Sequence, residues 1–377
     1  MSQMVQTPDA AVAETPLAAQ LAAANPTLEL KMHCGAQTPL RFAANPPGPA
    51  SGEVDSLLHA AGVYDLGFRA VLRATGKDRV RWLNGMITQV VKGLNPGQTG
   101  YTLVLNPQGR IQGDADLFAF EEFLQLETDR SQSERLLTIL RRYIIMDDVK
   151  LEALDAATTA MGIAGPKAPA ILGQLGASSV PEPGNFQPAR LAGIDVTLIG
   201  AYSPVVPRFE IHVPTVRVLD LWKALVDAGS APCGTAALED LRVLEGVARF
   251  EVDFSDKNLP QEANLLRALN FTKGCYIGQE TVERIRARAT LHRTMRHFEL
   301  EGSASPLGPG EKIELRSGET AAGEVTSIAS IDVPGFKRTL ALGMVRTEAL
   351  ASAEPIRYDG GIALPLDAPP FVTPPQL

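Results

Sequence analysis

From Glu53 onward, the spacing of apolar and polar positions divides the chain into short, well-separated elements. Phe68, Ala70, Leu72 and Ala74 fall on one side and Arg69, Val71 and Arg73 on the other, a period of two that predicts a strand. Asp78 to Val91 carries Val80, Leu83 and Ile87 on one helical face, and Asn95-Pro96-Gly97 then makes a turn into a strand at Tyr101 to Leu105. The turn Asn106-Pro107-Gln108-Gly109 leads to a strand from Arg110 to Phe120, followed by another at Phe123 to Glu127. Ser131 with Glu134 three residues on predicts a capping box for a helix to about Tyr143, and Val149 to Leu154 closes the unit as a strand. Strand, helix, strands, helix and strand in this order predict a ferredoxin-like α+β unit.

A second unit of similar type follows. Its strands are predicted at Thr159 to Ala164, Ile194 to Ile199 and Phe209 to Val213. Its helices are predicted at Lys167 to Leu175, Val216 to Ala228 and Ala236 to Val247. Thr281 to Leu291 reads as a strand with Arg284, Arg286 and Arg288 on one side and Ile285, Ala287 and Ala289 on the other. Beyond His297 the chain breaks into short alternating runs punctuated by Gly and Pro, which predicts a small all-β domain, a barrel by preference. The Ala- and Pro-rich first 50 residues read as a disordered or loosely docked extension with a short helix near Leu21, and the Pro-rich end from about Asp367 as extended.

Composition narrows the functional classes. The 377 residues allow two or three domains, and 45% hydrophobic with 21% charged residues is ordinary for a soluble globular protein. A net charge of -8 argues against whole-surface attraction to nucleic acid or anionic membrane. No apolar run reaches the roughly 18 to 20 residues that span a bilayer, and the first 30 residues lack Lys and Arg. The three cysteines, Cys34, Cys233 and Cys275, are far apart, so neither a disulfide framework nor a cysteine-rich metal site is expected. A soluble, reduced, cytoplasmic protein without a metal centre is the expectation.

The chemistry concentrates in Asn270-Phe271-Thr272-Lys273-Gly274-Cys275-Tyr276-Ile277-Gly278-Gln279-Glu280, whose apolar residues keep neither helical nor strand period. Lys273, two residues before Cys275, can favour the thiolate; a tight turn with an incidental cysteine is the alternative. The arginine strip at 284, 286 and 288, with Arg293 and Arg296 beyond, is either an anion-recognition face or a solvated one. Asp114 and Asp116 share a strand face, where one of two like-charged neighbours can titrate high and work as an acid or base; two solvated carboxylates is the other reading. Glu210 lies inside the apolar Phe209-Glu210-Ile211 run.

Lys273-Gly274-Cys275-Tyr276-Ile277-Gly278-Gln279-Glu280 resembles the K-G-C-[FYW]-x-G-Q-E signature of the YgfZ family, as do the segments Ala237 to Gly246 and Leu259 to Ala263. The resemblance runs from about Gly62 to Val345. It implies a folate-binding protein that supports iron–sulfur cluster assembly or repair, related to the glycine-cleavage T-protein, an aminomethyltransferase. The fold so implied is α+β: two ferredoxin-like domains plus a C-terminal small β-barrel around a central folate pocket. Its divisions are an extension at 1–50, a first domain at 51–150 plus 250–290, a second at 151–249, and the barrel at 291–377.

The same resemblance implies site residues. Tyr101 and Asp114 keep the T-protein's Tyr–x12–Asp spacing, and Asp114 matches its catalytic aspartate, although Gly113 stands where another Asp is usual. Glu210 falls on the carboxylate that pairs with the pterin, while Tyr202 to Pro207 lack that motif's glycines. Arg242 fits the last arginine of the A-R-D-x-L-R segment, with Leu238 in place of the first. Cys275 and Lys273 are implied as the functional pair, with Tyr276, Gln279 and Glu280 contributing to a tetrahydrofolate site. Two functions follow: an accessory factor for iron–sulfur proteins or their assembly factors, linked to tRNA modification and making at most weak RNA contact, or a one-carbon transferase using Asp114.

Overall fold

The computed structural model describes residues 13–42, 51–154, 157–288, 291–367 and 369. The chain begins with helix α1 (Pro16–Ala24) and a hairpin of β1 (Leu30–His33) and β2 (Ala36–Pro39). Helix α2 (Ser51–His59) and strand β3 (Gly62–Asp65) come next. The first unit holds β4 (Arg69–Thr75), α3 (Arg79–Met86), β5 (Thr99–Leu105), β6 (Ile111–Ala119), β7 (Leu124–Asp129), α4 (Arg130–Arg141) and β8 (Lys150–Ala153). Its five strands form an antiparallel sheet in the order β5-β6-β7-β4-β8. Trp82, Leu83, Leu136 and Leu140 of the two helices are buried against Leu72, Leu117 and Leu126 of the sheet, the half-buried arrangement that period-two strands require.

The second unit runs through β9 (Thr158–Ala164), α5 (Ala168–Gln174), β10 (Phe186–Leu191), β11 (Ile194–Gly200), β12 (Arg208–Pro214), α6 (Val218–Asp227), the short β13 (Ala231–Pro232) and α7 (Thr235–Leu244). Its sheet has the order β10-β11-β12-β9-β3-β13. Strand β3, whose residues fall in the 51–150 segment assigned to the first domain, pairs antiparallel with β9 and parallel with β13. All four of its residues are buried, as a central strand covered on both faces demands.

Helix α8 (Gln279–Arg288) leads to β14 (Arg293–Gly302), β15 (Ile313–Ser317), β16 (Thr320–Val333), β17 (Phe336–Arg346), α9 (Thr347–Ala351), β18 (Ile356–Tyr358) and β19 (Gly361–Leu366). These strands close a barrel in the order β14-β17-β16-β15-β18-β19, with Phe298, Leu315, Val325 and Ala341 inside it. The chain is therefore mixed α+β with a closed C-terminal barrel. A central core knits the parts together: Leu57 and Leu58 of α2, Leu241 and Leu244 of α7, Leu103 and Leu105 of β5, Val282 of α8, and Leu340 and Leu342 of β17 are all buried in one cluster. Among the described residues no helix is long and apolar enough to cross a membrane.

Three expectations are corrected here. The stretch from Thr281 is not a strand: Gln279–Arg288 is helical, and Val282 on its inner face is fully buried. Ser131 does not cap α4. The helix begins one residue earlier, and its first orphan N–H groups are taken by neighbouring carbonyls, Arg130 N donating to Phe68 O at 3.0 Å and Ser131 N to Cys34 O at 3.1 Å. Residues 13–42 are docked. Leu17 and Ala18 are buried, and the Thr15 hydroxyl, while capping α1 at Ala18 N, donates to the buried Asp65 carboxylate. The rest of the expected extension and the Pro-rich end fall largely outside the described residues.

Candidate functional site

Residues of both sheets, the hairpin tip and α7 line a cavity of about 270 Å³. Alternation puts them there. Along β6 the less buried positions are Gln112, Asp114 and Asp116, while Gly113, Ala115 and Leu117 pack the other way. Along β12 Arg208, Glu210 and His212 share the open side, and Phe209, Ile211 and Val213 face the core. A Cβ on Gly113 would stand 2.8 Å from both the Gln132 amide oxygen and a Leu136 methyl of α4, so the position beside Asp114 serves the close approach of that helix.

Asp114 is held from two directions. The Tyr101 hydroxyl donates to its Oδ2 at 2.7 Å and Gln132 Nε2 to its Oδ1 at 2.8 Å. Burial, reinforced by the nearby Asp129 carboxylate, raises its pKa against those two donors. Arg69 lies between two other carboxylates, 3.2 Å from Asp116 and 3.5 Å from Glu210, with its Nε buried and unpartnered among the described residues. Burial raises Glu210 even with Arg69 nearby. Behind it, His212 Nε2 and Glu127 Oε2 are 2.9 Å apart; against the cost of burial, each holds the other's charged form, raising the imidazole and lowering the carboxyl. Arg208 donates to the Tyr64 hydroxyl at 3.0 Å and to Glu245 at 3.2 Å. The Tyr64 ring lies directly on Gly162, where a Cβ would come within 2.1 Å of it.

Of the residues singled out from sequence, Tyr101, Asp114, Glu210 and Arg242 line this cavity together. Arg242 is largely committed elsewhere: it bonds Glu239 at 3.0 Å, Asp253 at 2.6 Å, Ser327 Oγ at 2.8 Å and the Val247 carbonyl at 2.7 Å, tying α7 to the barrel. Cys275, Lys273, Tyr276, Gln279 and Glu280 are not among the cavity's lining residues. Their loop sits on the α3–β5 connection and the 106–109 turn. The Lys273 amine donates to the carbonyls of Ile87 at 2.6 Å and Gln89 at 2.7 Å, Ile277 N donates to Gly85 O, and burial lowers the amine's pKa to about 7. A neutral amine still has two N–H groups for those two carbonyls. Gly278 has a φ of 84° and would place a Cβ 2.6 Å from Asn106 O, so glycine is required for this seat. Cys275 is exposed, Tyr276 is buried, and Gln279 and Glu280 open α8, Glu280 in solvent.

The arginine strip does not survive the change from strand to helix. Arg284 and Arg286 lie about 200° apart at 100° per residue, and Arg286 stacks on the Phe271 ring at 4.3 Å and pairs with Glu283. Arg293 pairs with Glu262 at 3.1 Å. Several cavity residues escaped sequence reasoning: Arg69, Glu127, Arg208, Arg267, and the hairpin tip His33-Cys34, as did Gln132 and His212, which bond to the lining residues Asp114 and Glu127. The tip carried a signal, since Leu30 to Pro39 reads as two short strands around Cys34-Gly35. Both of those residues have positive φ, 50° and 89°, as a two-residue type I′ hairpin needs. Burial pushes the Cys34 thiol far up and lowers the His33 imidazole to about 4. Among the described residues no group of three or more His, Cys, Asp or Glu side chains could hold a metal ion.

The model of the GCVT N-terminal domain family matches residues 31–273, most of both sheet units and the cavity between them. The chain belongs to the GCVT family. Among curated relatives, the GCVT chain is 27% identical over 258 residues to the aminomethyltransferase of Nostoc sp., covering 64% of this chain and 66% of that protein. It is 29% identical over 253 residues to the tRNA-modifying protein YgfZ of Yersinia enterocolitica, covering 66% of this chain and 74% of that one. The chain spans just under two thirds of the length of the first of these. Its fold matches the crystal structure of the glycine cleavage system aminomethyltransferase T from Bartonella henselae with a TM-score of 0.82 at 20% identity, over 96% of this chain and 98% of that one.

Proposed function

We propose that this GCVT chain binds a reduced folate, tetrahydrofolate or a one-carbon derivative, with the pterin in the cavity lined by both sheets. The observation that carries the reading is the meeting of Tyr101 and Asp114 from one sheet with Glu210 from the other around a single cavity. The donor set fits the group. Glu210 is held by Arg69 only at 3.5 Å, which leaves lone pairs free to accept from a pterin's amino and ring N–H groups. Tyr101, Phe118 and Tyr202 offer ring surface, and the volume lies near the roughly 300 Å³ lower bound of small-molecule pockets. A bound tetrahydrofolate supplies the nitrogens that carry a one-carbon unit. Asp114, buried and positioned by Tyr101 and Gln132, holds or releases a proton at its carboxyl oxygens.

The role we infer is support of iron–sulfur cluster assembly or repair in the cytoplasm, with Cys275 as the working thiol. Its support is the uninterrupted Lys273-to-Glu280 run, the YgfZ relative, and the exposure of Cys275, which leaves the sulfur open to a partner protein or small thiol. The second reading, one-carbon transfer of the aminomethyltransferase type, is favoured by the two-point grip on Asp114. Calorimetric titration with tetrahydrofolate tests the shared part: wild type binds and Glu210→Ala weakens binding by about tenfold or more, the worth of one charge-assisted bond. Absence of binding by the wild type removes both readings. Cys275→Ala that fully restores iron–sulfur enzyme activity in cells removes the first, and no turnover with an aminomethyl-lipoyl donor and tetrahydrofolate removes the second.

A further inference from the structure

The turn from α4 into β8, Arg141-Arg142-Tyr143-Ile144-Ile145-Met146-Asp147-Asp148, lines no part of the cavity. Helices α3 and α4 cover the face of the first sheet opposite to Asp114 and Asp116, so the turn stands on the far side of that unit. Ile145 is 83% exposed and Met146 94%, with Tyr143 beside them at 36%. No other two consecutive large hydrophobic residues share such exposure among the described residues. The turn is nevertheless fixed to α3 at both ends. Trp82 Nε1 donates to the Tyr143 carbonyl at 3.2 Å, and Arg81 pairs with Asp147 at 2.5 Å. Asp148 N donates to the Asp78 carboxylate at 2.9 Å, and its carbonyl accepts from Asp78 N at 3.2 Å. Such anchoring presents the two apolar side chains with little backbone freedom left to lose on binding.

The order of charges around this apolar tip decides what covers it. Two arginines precede Tyr143 to Met146 and two aspartates follow, so the segment is complementary to itself when a second copy runs antiparallel across it. A two-fold axis through the tip meets that requirement, because each surface is then used twice and the cationic end of one copy lies over the anionic end of the other. An anionic membrane surface, by contrast, would attract the arginines and repel the aspartates. The outer charges are available: Arg142 is exposed and without a partner among the described residues, and Asp148, 58% exposed, meets Lys77 only at 3.7 Å. We propose that the 141–148 turn is a self-association surface that pairs with the same turn of a second copy about a two-fold axis, Ile145 and Met146 packing on their counterparts and Arg142 facing Asp148 of the partner subunit. One turn buries less than the roughly 800 Å² per partner of a standard interface, which puts the affinity in the micromolar range. The cavity, on the opposite face of the sheet, stays open in the pair.

Sedimentation velocity of the full chain from about 1 to 100 µM tests the pairing. The expected result is a monomer–dimer equilibrium with its midpoint inside that range. Met146→Glu and Ile145→Glu should each weaken it by about a hundredfold, since burying one such side chain is worth about tenfold or more and a two-fold contact loses two. Both side chains stand in solvent in the single chain, so the variants should fold, and an unchanged circular dichroism spectrum checks this. Arg142→Asp turns two attractive pairs into two repulsive ones and should weaken the dimer by about tenfold. Arg142→Asp combined with Asp148→Arg in one chain reverses both ends and should restore it. A wild type that stays monomeric throughout overturns the proposal, as does a dimer that Met146→Glu leaves intact. A double variant no stronger than Arg142→Asp overturns the antiparallel two-fold arrangement.

Discussion

Replacing Arg69 by Met should reveal how much of the cavity depends on one cation. The guanidinium lies between Asp116 and Glu210, and the ionised Glu127 also acts on it. Methionine keeps most of the side chain's length and apolar contact but leaves those carboxylates without their shared positive neighbour. Stranding one partner of a fully buried ion pair costs about 3–5 kcal/mol. Here the Glu210 side chain is 13% exposed and that of Asp116 is 32% exposed, so water recovers part of the loss, and about 2–3 kcal/mol is the expected destabilisation at neutral pH. The pH dependence supplies the sharper check. Burial already raises Glu210 above its ordinary 4.5, and losing Arg69 raises it further. A carboxyl whose folded pKa exceeds its unfolded value binds more protons folded than unfolded between those two values, so stability falls as pH rises through that window. The gap between Arg69→Met and wild type should therefore be small near pH 5 and widen towards pH 7.5. Adding Glu210→Gln should close part of it. Urea midpoints followed by circular dichroism at the two pH values measure this. A variant within about 0.5 kcal/mol of wild type at both values, the range of ordinary surface changes, would show that Arg69 does not organise the carboxylates.

Two further outcomes are expected. Asp65 is buried, and its pKa is raised to about 6 by burial, against bonds from the Thr15 hydroxyl and Gly67 N. By the same sign argument it costs stability progressively from about pH 4 to 6 and fully above, about 3 kcal/mol for some two pKa units. Asp65→Asn, which copies the protonated carboxyl, should thus stabilise the protein at pH 7.5 and change little at pH 4; equal midpoints at pH 7.5 would count against a buried charge there. Native protein should show one fast thiol with Ellman's reagent, lost in Cys275→Ala, because Cys34 is half-buried, Cys233 is buried, and burial pushes both thiols up. A second fast thiol would mean that the hairpin tip carrying Cys34 does not stay docked.

The periodic parts of the molecule were legible because one physical cause dominates each of them. Strands β4 and β6 and helix α4 bury one face apiece, so alternation and the helical repeat name them within a few residues. The same alternation aims Asp114 and Glu210 at the cavity. Failures came where tertiary contacts replaced local rules. Ser131 has the sequence of a cap, yet its N–H is satisfied by the Cys34 carbonyl, about a hundred positions earlier. Strand β3 finds its partners β9 and β13 far along the chain, and no local pattern shows which sheet a four-residue buried strand joins. Arg284, Arg286 and Arg288 satisfy a period of two while the segment folds as a helix, whose ten mostly polar residues leave Val282 as the fully buried anchor.

The stretch with the densest chemistry shows how resemblance and position differ. Its composition has a local structural explanation for several members: Asn270 Oδ1 accepts from the backbone N–H groups of Thr272 and Lys273, Lys273 caps two carbonyls, and Gly278 makes room for the 106–109 turn. That turn leads directly into β6, which carries Asp114. The loop therefore buttresses the strand that presents the cavity carboxylate, while the Cys275 thiol, like the Glu280 carboxylate at the start of α8, remains outward. If the thiol acts on a partner, it does so from a surface braced against the ligand cavity, so ligand binding and thiol reactivity share one structural support. The rate of Cys275 labelling with and without saturating tetrahydrofolate measures that link: a changed rate follows from the shared support, and an identical rate would leave the two as separate sites on one scaffold.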